Sequence, residues 1–282
     1  MSGFVNFNGM MLPADQYSIM AGNRAYLYGD GLFESIRVIN GKAINLENHC
    51  LRLQEGIEAL KLNVPAYYCT SFFEEEIAKL VKLNGITQGG RVRLSVDRKP
   101  GGAFLPDNNH VDFYIEAYPI KQNNFELNEK GWKINLYEDI KKDISPLSAY
   151  KTKNGLIYIM AKLSAQEKGL DDLLIQNYKM GIIEGASANL FVVSNGVLYT
   201  PGLDQGPLGG TMRMQIINLA LENEVKVYEC NISPQNLLVA DEVFLTNAIN
   251  GVIWVESYRT KQYKNEIAKK FVRLLNAKWA RP

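Results

Sequence analysis

"GIIEGASANLFVVSNGVLYTP", residues 181–201, reads as short strands, "GIIEGASANLFVVS" followed by "VLYTP". Apolar runs of four to eight residues, rich in Val, Ile and Phe and bounded by small or turn residues, are strand material. One residue is out of place: Glu184 stands inside an apolar run with small residues beside it. A carboxylate there either faces solvent on the outer side of the strand or is buried and paired. If buried, a cationic partner lowers its pKa and keeps it ionised, and a protonated ring nitrogen is one such partner. The strand pattern leaves both options open.

Outward from this stretch the same texture continues. Upstream lie a strand "WKINLYED", a helix "GLIYIMAKLSAQEKG" and a strand "DLLIQ"; downstream lie a helix "MRMQIINLALENE" and strands "VKVYECNI" and "EVFLTNA". Short strands at close spacing with a few helices between them point to an α+β or barrel-like domain, not a parallel doubly wound sheet. Nearer the N-terminus, "FVNFNGMML" and "SIRVINGKAIN" read as strands, the second with a hairpin signal in its Asn-Gly. Two helices follow, "LENHCLRLQEGIEALKLN" and "SFFEEEIAKLVKLNG", then strands "GGRVRLSVDR" and "HVDFYIEAYPI". The polar "PIKQNNFELNEKG" is the best boundary. The expectation is an α+β chain of two domains, a small one over 1–118 and a larger one over 126–282, joined by a linker at 119–125.

The 282 residues allow a large core, and 46% apolar with 22% charged residues is ordinary for a globular protein. A formal net charge of +1 gives no electrostatic case for nucleic acid or an anionic membrane. Three scattered cysteines (Cys50, Cys69, Cys230) fit a reducing compartment, and two histidines argue against a His-rich metal site. The first residues lack the pattern of a signal peptide, and no apolar run is long enough to span a bilayer, so a cytoplasmic enzyme is expected.

Two further stretches could carry chemistry. "PGLDQGPLGGTMRMQII" is a glycine-rich loop running straight into a helix, the arrangement in which backbone amides bind an anion; a flexible turn explains it equally well. "SAYKTKNG", residues 148–155, offers Lys151 and Lys153 at a loop-to-helix junction. Lysine becomes a nucleophile when burial or a neighbouring charge depresses its pKa, yet most lysines are solvated. Nothing local separates the two. "YGDGLFESIR" is only superficially a dinucleotide fingerprint, because a glutamate stands where the third glycine belongs.

The order of "YGDGLFESIRV", "HCLRL", "KTKNGLIY", E-G-x-x-x-N-x-F-x-V with T-P after it, "LGGTMR" and "ADEVFLTNAINGV" resembles the class-IV pyridoxal-phosphate enzymes over about residues 3–256. This group contains branched-chain and D-amino-acid aminotransferases and aminodeoxychorismate lyases. The resemblance implies pyridoxal 5'-phosphate as cofactor, a two-domain fold with a pseudo-barrel large domain, and a homodimer acting on a small amino substrate. It implies Lys151 as the Schiff-base lysine, with Asn154 completing K-x-x-N, and Lys153 as a surface charge. Glu184 matches the partner of the pyridine nitrogen and Arg37 the phosphate-binding arginine. Gly210, Thr211 and Met212 match the phosphate loop, and Asn247 and Ala248 a second cofactor-contacting turn. Tyr26, Arg98 and Asn247 are candidates for substrate contacts, while His49 is expected to be structural. The "LTNAINGV" and "TPGLDQGPLGGTMR" stretches are more similar to the lyases, which implies elimination of pyruvate from 4-amino-4-deoxychorismate to give 4-aminobenzoate. The alternative is a transaminase that uses 2-oxoglutarate with branched-chain or D-amino acids.

Overall fold

The computed structural model describes residues 3–279. They form two compact units. The first takes in the described residues up to Asn124 together with Tyr150–Asn154; the second takes in Phe125–Ala149 and the described chain from Gly155 on.

In the first unit, strands β1 (Phe4–Phe7) and β2 (Met10–Pro13) are followed by a short helix α1 (Arg24–Tyr28), strand β3 (Gly31–Ile39) and strand β4 (Lys42–Ala43). Helices α2 (Leu46–Ala59) and α3 (Thr70–Leu83) come next, then strands β5 (Gly90–Arg98) and β6 (Val111–Pro119). The strands make one antiparallel sheet in the order β2-β1-β6-β5-β3-β4. Alternation decides its faces. Ile36 and Val38 of β3, Val92, Leu94 and Val96 of β5, and Phe113 and Ile115 of β6 pack with Leu53 and Ile57 of α2 and Phe73, Ile77 and Leu80 of α3. The alternate residues, Phe33, Arg91, Arg93, Asp97 and Tyr114 among them, fall on the opposite face. At the β3–β4 hairpin, Asn40 and Gly41 have φ of 51° and 71°, as the Asn-Gly pair requires.

Residues 150–154 return to this unit by pairing with the start of β3. Phe33 N–H donates to the Lys151 carbonyl at 2.9 Å, Lys153 N–H donates to Gly31 at 3.0 Å, and Leu32 faces Thr152. Extended pairing puts Thr152 on one side and both lysines on the other.

The second unit contains strand β7 (Trp132–Leu136), helix α4 (Leu156–Glu167), and strands β8 (Asp172–Gln176), β9 (Ile182–Gly185), β10 (Asn189–Ser194) and β11 (Val197–Pro201). Helix α5 (Thr211–Glu222), strand β12 (Val227–Cys230), helix α6 (Pro234–Val239), strands β13 (Glu242–Asn247), β14 (Gly251–Tyr258) and β15 (Lys261–Gln262), and helix α7 (Glu266–Trp279) complete it. The pairings β10-β13-β14-β7-β8-β9 return to β10 and so close a six-strand circuit, from which β11 and β12 extend at β10 and β15 at β14. The apolar core includes Leu174, Leu190, Val192, Leu245, Ile253 and Val255, while Leu173, Ile175 and Ile183 pack on Ala161 and Ala165 of α4. This is the α+β, barrel-containing fold that the strand pattern indicates. Among the described residues no helix is long and apolar enough to cross a membrane.

Candidate active site

The signature around Glu184 has a physical explanation in the second unit. Glu184 and Asn189 lie directly opposite each other in the β9–β10 pairing. Glu184 Oε2 accepts from Leu208 N–H at 2.9 Å, and Asn189 Nδ2 donates to the Leu208 carbonyl at 2.8 Å. The two residues therefore grip both sides of one residue of the glycine-rich loop. Glu184 is buried, at 2% exposure, so the solvent-facing option is excluded. Its Oε1 accepts from Lys142 Nζ at 2.7 Å and from the Tyr158 hydroxyl at 2.9 Å. Burial first, and Glu184 second, push the Tyr158 hydroxyl far above its ordinary pKa, so it remains a neutral donor.

The loop held in this way ends at α5. Gly210 is the N-cap and supplies no side chain, and the first intrahelical bond runs from Met214 N–H to the Gly210 carbonyl. Met212 and Arg213 amides precede that bond, so the helix gives them no acceptor. A Cβ on Gly210 would lie 1.8 Å from Asn189 Oδ1, which explains why only glycine fits. Asn247, at the end of β13, donates to the Ser187 carbonyl at 3.3 Å and accepts from Ile249 and Asn250 amides. It thereby folds the turn that carries Ala248.

In the first unit both lysines sit on the sheet face that carries Phe33 and Arg93. Lys151 Nζ lies 4.5 Å from the centroid of the Phe33 ring. Arg93 lies over the same ring at 3.8 Å. Lys153 is a correction: it is not a surface charge, since its ammonium pairs with the buried Asp97 at 2.5 Å and its side chain is only 19% exposed. The cause is the two-residue repeat, which sends Lys153 to the same face as Lys151 and over the buried end of β5.

On the other face, Glu34 stands among apolar neighbours and is matched by α2. Arg52 donates to both its oxygens, and His49 Nδ1 lies 2.6 Å from Oε2. Burial pushes the Glu34 carboxyl up, but Arg52 and then His49 outweigh it and hold it at about 2. Burial lowers the His49 pKa, and Arg52 and Lys151 add to that effect against the opposing pull of Glu34. The lowered pKa favours the neutral imidazole, whose Nδ1 faces Glu34, and the charge of Lys151 reaches it.

Arg37 has partners other than those the resemblance implies: its guanidinium donates to the carbonyls of Gln122 and Asn124, the latter at 3.2 Å. Arg98 is similarly committed, to Asp30, Asn109 and the Leu60 carbonyl. Tyr26, on α1, is 75% exposed. Sequence reading missed Asn189, Arg93, Arg52 and Lys142. Three had usable signals: Asn189 is the fixed asparagine of the signature, Arg52 is the arginine of the "HCLRL" stretch, and Arg93 alternates into the same face as Phe33.

The family described as amino-transferase class IV matches residues 31–258, and the chain belongs to it. The D-alanine aminotransferase of Bacillus licheniformis is 28% identical over 90% of this chain and 87% of its own length. The aminodeoxychorismate lyase of Bacillus subtilis (strain 168) is 26% identical over 87% of this chain and 83% of its own. In structure, the branched-chain amino acid aminotransferase of Escherichia coli superposes with a TM-score of 0.89 at 23% identity, over 100% of this chain and 95% of that one. The chain is thus a pyridoxal-phosphate enzyme of a class whose members divide between amino transfer and elimination.

Proposed function

We propose that the chain is a pyridoxal-phosphate-dependent lyase that eliminates pyruvate from 4-amino-4-deoxychorismate to give 4-aminobenzoate. The observation that carries the reading is the pair of cations on Phe33: Lys151 at 4.5 Å and Arg93 at 3.8 Å from one ring centroid. It provides an amine for chemistry beside a guanidinium for a substrate carboxylate. Arg98 is held by Asp30, Asn109 and Leu60, whereas the Arg93 guanidinium lies over an aromatic ring, so Arg93 replaces Arg98 as the substrate arginine. Arg91, two residues earlier on the same face, suits a substrate with two carboxylates.

The residues present fit the cofactor. The α5 amides behind Gly210 offer donors to a phosphate, and Glu184 offers a buried carboxylate to a ring N–H. Lys151 is the lysine that would hold it. Arg37 and Arg52 are both candidates for the phosphate: Arg37 donates to the Gln122 and Asn124 carbonyls and Arg52 to Glu34, while the charges of Arg52 and Lys151 both reach His49. When bound, pyridoxal phosphate supplies the electron sink for bond breaking next to the amine. Lys151 Nζ takes and returns the substrate proton, with Phe33 and the neutral His49 limiting its surroundings. Arg93 orients the substrate through its carboxylate, and Glu184 holds a ring proton in place.

The Asn247 turn, with its T-N-A run, supports elimination over transfer. A transaminase is the second reading, favoured by the 28% identity to a D-alanine aminotransferase. Purified protein given aminodeoxychorismate should release pyruvate with no keto acid added. Turnover that instead demands 2-oxoglutarate and consumes leucine or D-alanine ends the lyase reading. A homodimer is also proposed, supported by Leu156, Ile159, Met160 and Leu163, exposed at helical spacing on α4.

A further inference from the structure

Glu184 carries more partners than a ring N–H requires. Three donors reach it: Lys142 Nζ and the Tyr158 hydroxyl on Oε1, and the Leu208 amide on Oε2. A carboxylate has about four acceptor positions, so one is left, on Oε2. Of the three donors, the amide and the phenol are neutral and Lys142 alone is charged. The other nearby carboxylate, Asp172 on β8, is occupied by Lys162 and by the turn at Ala186 and Ser187.

Lys142 is held in place for this contact. Its N–H donates to the Gln176 carbonyl at 2.9 Å, it forms a parallel bridge with Asn177, and its side chain is 14% exposed. Its ammonium also lies 5.5 Å from the centroid of the Tyr158 ring. An ion pair this enclosed is little screened by solvent.

We propose that Lys142 is a positioning residue that moderates Glu184: by pairing with Oε1 it weakens the hold of the carboxylate on the proton of the cofactor ring nitrogen. The proposal rests on the reading of Glu184 as the ring partner. A lone buried carboxylate beside a ring nitrogen favours the protonated ring, whereas a cation on that same carboxylate opposes it. Tyr158 adds a neutral hydrogen bond that spreads the charge of Oε1 further. The electron-withdrawing power of the bound ring is thus set by three side chains, of which Glu184 is one.

The test uses protein loaded with pyridoxal phosphate labelled with ¹⁵N in the ring, and follows the ring nitrogen chemical shift against pH. Lys142→Met should raise the pH at which the ring proton is lost by about one unit or more, and Lys142→Arg should restore the wild-type curve. An unchanged curve in Lys142→Met overturns the proposal. So does failure of both Lys142→Met and Lys142→Gln to fold by circular dichroism, since Lys142 would then be a structural ion-pair partner. Glu184→Gln separates the two readings: it should shift the ring toward the unprotonated form. If Glu184→Gln leaves the ring unchanged, the assignment of Glu184 has failed, and the Lys142 proposal falls with it.

Discussion

At the scale of single residues, ionic partners separate side chains that the sequence alone leaves equivalent. Lys151 and Lys153 share a face, but Lys153 is spent on Asp97. Arg93 and Arg98 share a strand, but Arg98 is spent on Asp30, Asn109 and Leu60. Arg93→Ala should therefore raise KM for a carboxylate substrate by roughly ten- to a hundredfold with a smaller change in kcat, as loss of a charged hydrogen bond implies. Steady-state kinetics of the variant check this, and an unchanged KM removes Arg93 from the substrate site. Glu34 yields a stability prediction. Its folded pKa of about 2 lies below its unfolded value near 4.5, so its contribution is present above pH 4.5 and is lost as pH falls toward 2. His49, whose pKa is lowered, acts in the same direction below its ordinary value of 6.5. The Glu34 share is roughly 3 kcal/mol. Thermal melts of wild type should fall steeply over that range, and Glu34→Gln should be less stable at neutral pH with a flatter dependence.

At the scale of elements, the glycine-rich loop and the β9–β10 pair work as one piece. Gly210→Ala would drive a methyl group into Asn189, and Asn189→Ala would free the Leu208 carbonyl. Each should weaken pyridoxal-phosphate affinity by about tenfold or more while leaving the far-ultraviolet spectrum unchanged, which fluorescence titration can measure. Most elements of both units were legible in the sequence because their periodicity is local: the β3–β4 hairpin, α2, α3, α4, α5 and the strands other than β14 and β15 follow from spacing and turn residues. Helices α1, α6 and α7 were not read. Helices α1 and α6 are five and six residues long, too short for periodicity to show. Helix α7 does carry a readable stripe in Ala268, Phe271, Val272 and Leu275. What no local pattern could supply was the pairing of distant groups, such as Lys142 with the Glu184 carboxylate or Arg37 with the Gln122 carbonyl, because those depend on closure of the barrel and return of the linker.

At the scale of the whole molecule, the family assignment and the strand circuit agree on the architecture, while reaction type rests on a few side chains. The apolar stripe on α4 predicts that the protein sediments as a dimer, and Ile159→Asp with Leu163→Asp should shift it to a monomer in analytical ultracentrifugation. A monomer in the wild type would remove that stripe as an interface between copies. Lys151, proposed as the lysine that holds the cofactor, has a direct chemical readout. Protein loaded with pyridoxal phosphate, reduced with borohydride and digested, should yield the phosphopyridoxyl label on the peptide containing Lys151 and on that residue alone. Label on Lys153 or Lys142, or no label on any lysine, would contradict the account.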